Sequence, residues 1–296
     1  MKLETPLSRK LGLKYPIVAA PMFLISNKEM LVAGAEAGIL PCMPSLNART
    51  AEQFREDLKW VRSKTDKPIG INLTIGLTAP ERVDADLQTC IDLKVPVIVT
   101  SYGNPTVHAK RAHDHGITVF HDVISLKHAQ KAVGAGVDAI IAVAAGAGGH
   151  AGTISPFALV PWLAEELKVP IIAAGSIGTG AQVVASLALG AELCYLGTRF
   201  IASKECGATD QYKQLVVSSS PEDIVYTDKV SGVSANFFKS TVPENFSADR
   251  SPEGAKRWRD IWSAGHGVAQ IHAVKSMSEI VEDLAREAHD TFARLT

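Results

Sequence analysis

Short apolar runs recur along the chain at residues 16–20, 39–43, 68–73, 95–100, 117–120, 139–143, 169–173 and 193–196. Each is almost continuously apolar instead of alternating with polar residues, the pattern of a strand covered on both faces, and each is too short for a helix. Between them lie stretches with helical spacing and a polar face, at 27–37, 50–64, 80–93, 105–115, 125–134, 156–167 and 178–189. Pro80, Pro105 and Pro156 suit a first helical turn, which has no use for their missing N–H. Gly38, Gly116, Gly136 and Gly190 suit helix ends that turn left-handed.

The order is strand then helix, repeated, and eight such units can close into a (β/α)8 TIM barrel. An open doubly wound sheet is the rival; the regular spacing favours closure. After the eighth strand, residues 208–274 lose the period and read as an insertion, a subdomain or lid within a single domain of 1–296. A final helix follows. Ser276 and Glu279 form the outline of a capping box, and Ile280, Leu284, Ala288 and Phe292 share one face that can complete the outer ring.

Composition narrows the function. Lys+Arg number 30 against Asp+Glu 31, so no basic field awaits nucleic acid and no polybasic segment awaits an anionic membrane. No apolar run approaches the roughly 20 residues needed to span a bilayer, and Met1–Pro6 lacks a secretory signal, so a cytoplasmic protein is expected. Cys42, Cys90, Cys194 and Cys206 are scattered without a CxxC pair and read as buried thiols. No metal site is expected: His108, His113 and His115 lie on or just after one helix without a thiol or carboxylate to complete a zinc sphere.

In such a barrel the chemistry sits where strands end. Strand 1 runs into Pro21-Met22-Phe23, strand 3 ends at Asn72, strand 4 at Thr100-Ser101 and strand 5 at His121-Asp122. Strand 6 runs into a glycine-rich stretch, Gly146 to Gly152, that carries His150. Gly175, Ser176 and Gly178 after strand 7, with Gly197 and Thr198 after strand 8, can turn backbone N–H groups inward as a phosphate cup.

The Gly146–Gly152 stretch also fits G-x-G-x-x-A, but no acidic residue ends the following strand and no helix starts in the run, so a dinucleotide fingerprint fails. Those glycines instead let the chain approach a flat ring while His150 enters the pocket. Ser101 and Ser176 lack a nucleophile elbow, which argues against a hydrolase triad.

The order of these motifs along nearly the whole chain resembles the nitronate monooxygenases, formerly the 2-nitropropane dioxygenases. The likeness rests on Ala20-Pro21-Met22, Asn72, Ala147 to Gly152, Ala173 to Ile177 and Gly197 to Phe200. Tyr212-Lys213 and Trp262 to Gly265 add to it. It implies an FMN-dependent TIM barrel in which Ala20, Pro21, Met22, Asn72 and Gly149 meet the flavin. By the same resemblance Gly175, Ser176, Gly178, Gly197 and Thr198 bind its phosphate, and His150 faces the substrate. The implied reaction oxidises an alkyl nitronate with O2 to a carbonyl compound and nitrite. Asp122 stands where relatives often carry lysine and is left out of the expected flavin contacts.

Three other functions remain open on the sequence. One is an FMN-dependent NAD(P)H:quinone or enoyl-thioester reductase of the same barrel family, with the insertion reading the second substrate. Another is a flavin-free barrel acting on a sugar phosphate, disfavoured by the shortage of acids and bases at strand ends. The third is a noncatalytic carrier. Trp258, Trp262, Phe237 and Phe238 have three candidate uses: covering the pocket, making a homodimer contact, or filling the core.

Overall fold

The structure, a computed structural model, describes residues 3–230, 232–243 and 260–295. Trp258 and part of the insertion lie outside these residues. Eight strands close a parallel barrel: β1 (Ile17–Ala19), β2 (Leu40–Pro44), β3 (Gly70–Thr74), β4 (Val97–Ser101), β5 (Thr118–Val123), β6 (Ala139–Val143), β8 (Ile171–Ala174) and β9 (Leu193–Leu196). The seam is β1 on β9, with Ile17 opposite Cys194 and Ala19 opposite Leu196. A short strand β7 (Gly149–His150) stands outside the barrel.

Alternation along each strand divides the core in two. Val18, Val97, Val99, Phe120, Ile141 and Ile172 pack inside the barrel. Their neighbours Ile17, Ile71, Ile98, Val119 and Ile140 pack outward against the helices. A strand buried on both faces must be apolar at every position, which is why these segments show no polar alternation. A short helix α1 (Pro6–Lys10) closes the bottom, its Leu7 joining the inner cluster and Glu192 accepting from the Leu7 N–H.

The outer ring contains α2 (Lys28–Glu36), α3 (Ala51–Arg62), α4 (Pro80–Asp92), α5 (Thr106–His113), α6 (Leu126–Gly134), α7 (Pro156–Glu166) and α8 (Gly180–Ala188). Pro80 and Pro156 occupy first turns, whereas Pro105 is the cap residue before its helix. Gly38, Gly116, Gly136 and Gly190 all have positive φ just after helices. The ring closes with α11 (Met277–Leu295), which packs on α8 and α2. Ser276 and Glu279 exchange side-chain and backbone hydrogen bonds at its start. A Cβ at Gly180 would stand 2.2 Å from Leu284 O and Ala288 N, so α8 and α11 cross closely at that glycine.

The described part of the insertion holds more regular structure than its sequence suggests. After a single turn α9 (Thr198–Ile201) come α10 (Asp210–Ser218) and the strands β10 (Ile224–Thr227) and β11 (Ala235–Phe238). The sheet runs β10-β11-β7, so the insertion pairs with the segment that carries His150. All four cysteines are buried and free, and burial pushes the Cys42, Cys90 and Cys194 thiols up.

Candidate functional site

The alternation that packs the barrel also builds a floor at its C-terminal end. Counting by twos brings Asn72, Ser101, Asp122, Val143, Ala174 and Tyr195 to the wall of one cavity of about 780 Å³. Ala20, Pro21 and Met22 line it from the β1 rim, and Gly149 and His150 from the segment after β6. Gly175, Ser176, Gly197 and Thr198 line its far end.

Gly178 departs from the expected cup. It does not line the cavity; its N–H donates to Gln182 Oε1 at 2.7 Å, and a Cβ there would meet Gly267 O at 2.8 Å. The start of α8 is likewise closed, by a Thr179–Gln182 capping box and by Glu287 on the Gly180 N–H. The open donors are elsewhere. Gly175 has φ +115° and Ser176 φ +57°, a left-handed conformation rare for a residue with a side chain. Among the described residues, the Ser176 and Thr198 N–H groups have no acceptor within the protein. The Thr198 hydroxyl accepts from Gly265 N–H at 2.9 Å, so the insertion closes one side of this end.

At the floor, three side chains form a directed relay. Asn72 Nδ2 donates to Val99 O at 3.1 Å and to Ser101 Oγ at 2.8 Å, and Ser101 Oγ donates to Asp122 Oδ2 at 2.6 Å. Burial pushes the Asp122 carboxyl up to about 6, against the lowering by Ser101. Burial of the phenol, and then the charge of Asp122, raise Tyr102 to about 12. Burial also holds Tyr195 well above its ordinary value, with Cys42 and Asp122 adding to the effect.

At the mouth, Tyr102 Oη and His150 Nδ1 are 2.8 Å apart with the rings edge to face. Tyr102 has φ +59°. The His150 ring opens to the cavity while crowding by protein lowers its pKa, so the neutral imidazole is favoured. The insertion holds its backbone: Ala235 pairs with His150, Asn236 Nδ2 donates to Ala147 O at 2.7 Å, and Tyr226 donates to Ala151 O at 2.8 Å. Tyr212 stacks on Trp262 at 4.8 Å, and Phe238 meets Tyr212 edge-on within the core.

His121, which ends its strand at the working face, turns away from the cavity. One residue out of phase with Asp122, it points among the helices, bonds Thr100 Oγ1 at 2.8 Å and is lowered to about 4 by burial and then by His128. No Lys or Arg lines the cavity among the described residues, and no metal-holding cluster occurs among them.

The nitronate monooxygenase family description matches residues 4–250. The chain belongs to that family of oxidoreductases. Its sequence is 29% identical to a nitronate monooxygenase of Paraburkholderia phytofirmans, covering 83% of this chain and 79% of that one. Among solved structures, FabK from Thermotoga maritima superposes with a TM-score of 0.86 at 30% identity, covering 99% of this chain and 98% of that chain. A nitroalkane oxidase from Streptomyces ansochromogenes superposes with a TM-score of 0.85 at 25% identity, over 98% and 99% of the two chains.

Within this nitronate monooxygenase barrel, sequence reasoning missed Tyr102, Tyr195 and Asn236; it placed Ser101 at its strand end but weighed it only as a nucleophile, and it set Asp122 aside. Strand parity was the available signal for the floor: Ser101 and Asp122 keep the inward phase of Val99 and Phe120. Tyr102 and Asn236 had no such signal, because a left-handed loop residue and an insertion strand carry no period.

Proposed function

We propose that this chain is an FMN-dependent nitronate monooxygenase, oxidising alkyl nitronates with O2 to carbonyl compounds and nitrite. The observation that carries the reading is one cavity with open backbone donors at one end, an amide-lined floor and a histidine over its mouth. The residues fit the cofactor. Backbone N–H groups of Ser176 and Thr198, with no acceptor among the described residues, suit the oxygens of a phosphate. Gly148 lets the chain pass within reach of Gly265 and Thr198, where a Cβ would stand 2.9 Å from Gly265 N. When bound, FMN supplies the ring that accepts electrons from the substrate.

The rest of the mechanism belongs to the protein. Ala20, Pro21, Met22 and Asn72 would hold the ring, and Gly149 would allow its close approach. Tyr102, kept protonated by its raised pKa, hydrogen-bonds His150 Nδ1 and fixes the orientation of the imidazole ring. His150 then orients the nitronate against the ring as a neutral hydrogen-bonding group.

The test is turnover of propyl-2-nitronate, followed by O2 uptake and nitrite release. A His150→Ala protein that keeps its FMN should lose most of that activity; equal turnover removes His150 from the assignment.

A second reading is supported by the electrostatics. A cavity with the Asp122 carboxyl in its floor and no Lys or Arg in its described wall favours a neutral substrate over an anion. At the ring, that suits the uncharged dihydronicotinamide, quinone or enoyl groups on which an NAD(P)H-dependent reductase acts. Anaerobic mixing with NADH separates the two: prompt bleaching of the flavin supports the reductase, and no bleaching supports direct oxidation of a nitronate.

A further inference from the structure

Asp122 has no task in the mechanism above, yet it ends a chain of hydrogen bonds that reaches the cavity through Asn72. The chain has a fixed direction. A backbone carbonyl can only accept, so the contact to Val99 O requires the Asn72 nitrogen, not its oxygen, to face β4. The same nitrogen gives its second proton to Ser101 Oγ, which leaves Ser101 to donate its single proton to Asp122. Both Asn72 protons are thereby spent inside the wall. Oδ1 is the atom that remains for the cavity, and Thr74 Oγ1, at 3.4 Å, is too far to saturate it.

We propose that Asp122 is a positioning residue for the ligand ring: acting through Ser101, it holds the Asn72 amide with Oδ1 toward the cavity as a hydrogen-bond acceptor. The inference rests on the reading that the cavity binds FMN, and it assigns Asn72 the task of accepting from a ring N–H. The acid end gives the relay its polarity. An amide in place of Asp122 could donate to Ser101 and leave the hydroxyl proton to turn toward Asn72, working against the present amide orientation.

The relay also couples the ring to a proton. A ring laid over the floor removes water from Asp122 and disfavours its charged form further, so the acid of the loaded protein titrates above its value of about 6. The groups that face it are Tyr102 from the end of β4 and Tyr195 from β9, both held protonated, with His150 across the mouth on β7. His121, on the same strand, points outward. None of the described lining residues is a Lys or Arg that would hold Asp122 ionised.

The experiment follows the visible absorption bands of the flavin-loaded full-length protein from pH 5 to 9. The parent should show a one-proton shift in the bands centred above pH 6. Asp122→Asn should abolish it. Ser101→Ala should keep it but move it upward by about one pH unit, because the hydrogen bond that favours the carboxylate is gone. Should Asp122→Asn not fold, Ser101→Ala alone carries the comparison. A parent spectrum without a transition, a transition unchanged in Asp122→Asn, or one unmoved in Ser101→Ala overturns the proposal. Failure of the parent to hold any flavin is a different result: it removes the cofactor reading on which the inference stands.

Discussion

Tyr102 Oη and His150 Nδ1 stand 2.8 Å apart, joining a left-handed residue just after β4 to a strand that pairs with the insertion. The pair ties two chain segments 48 residues apart at the mouth of the cavity. Tyr102→Phe keeps the ring contact and removes the hydrogen bond. A net loss of about 1 kcal/mol in fixing His150 predicts a fall of roughly fivefold in kcat/KM with FMN content unchanged. Steady-state assays on protein with measured flavin content check it; parental kcat/KM would show that the bond has no catalytic part.

The depressed pKa of His150 sets the sign of a pH effect. The ring is neutral at neutral pH and charges only as pH falls through a value below the ordinary 6.5 of histidine. If the neutral ring is the working form, kcat/KM is flat near neutrality and has an acid limb below pH 6.5. Asp122 titrates in a neighbouring range, so the profile should be repeated in Asp122→Asn, where the His150 limb persists. An acid limb at or above 6.5 in that variant contradicts the assignment.

Gly148 gives the phosphate end a simple test. A Cβ there would stand 2.9 Å from Gly265 N, 3.0 Å from Ala264 C and 3.1 Å from Thr198 Oγ1. Gly148→Ala must displace the Thr198–Gly265 hydrogen bond. About 1.4 kcal/mol of such strain weakens FMN roughly tenfold while the barrel stays folded. Flavin fluorescence titration beside far-ultraviolet circular dichroism measures both, and an unchanged Kd would place the phosphate elsewhere.

Gly180 tests the scaffold apart from the site. Gly180→Ala pushes a methyl group into the backbone of α11 at Leu284 O and Ala288 N. Overpacking of about 2 kcal/mol lowers Tm by roughly 5 °C. A Tm within 1 °C of the parent would mean that the helices part at little cost.

The barrel was legible because its signal is redundant. Eight doubly buried strands each repeat the same apolar run, and Ala139–Val143 and Leu193–Leu196 fall where the pattern puts them. Glycines at the strand rims also carried information, since Gly175 needs a positive φ that few residues adopt. Gly178 shows the limit of that reasoning. A rim glycine can serve a ligand or a packing contact, and only the approach of Gly267 from a distant segment distinguishes them. The β10–β11 hairpin was hidden for a different reason: its strands are four residues each, and Tyr226 and Asn236 spend their polar groups on the His150 segment instead of on solvent.

The most direct measurement is the visible absorption spectrum of the purified protein, followed by identification of the chromophore released on denaturation. The account predicts a yellow protein whose flavin bands yield one equivalent of FMN per chain, or a colourless one that becomes yellow and retains FMN through gel filtration after incubation. A protein that stays colourless after that incubation contradicts the assignment of the cavity.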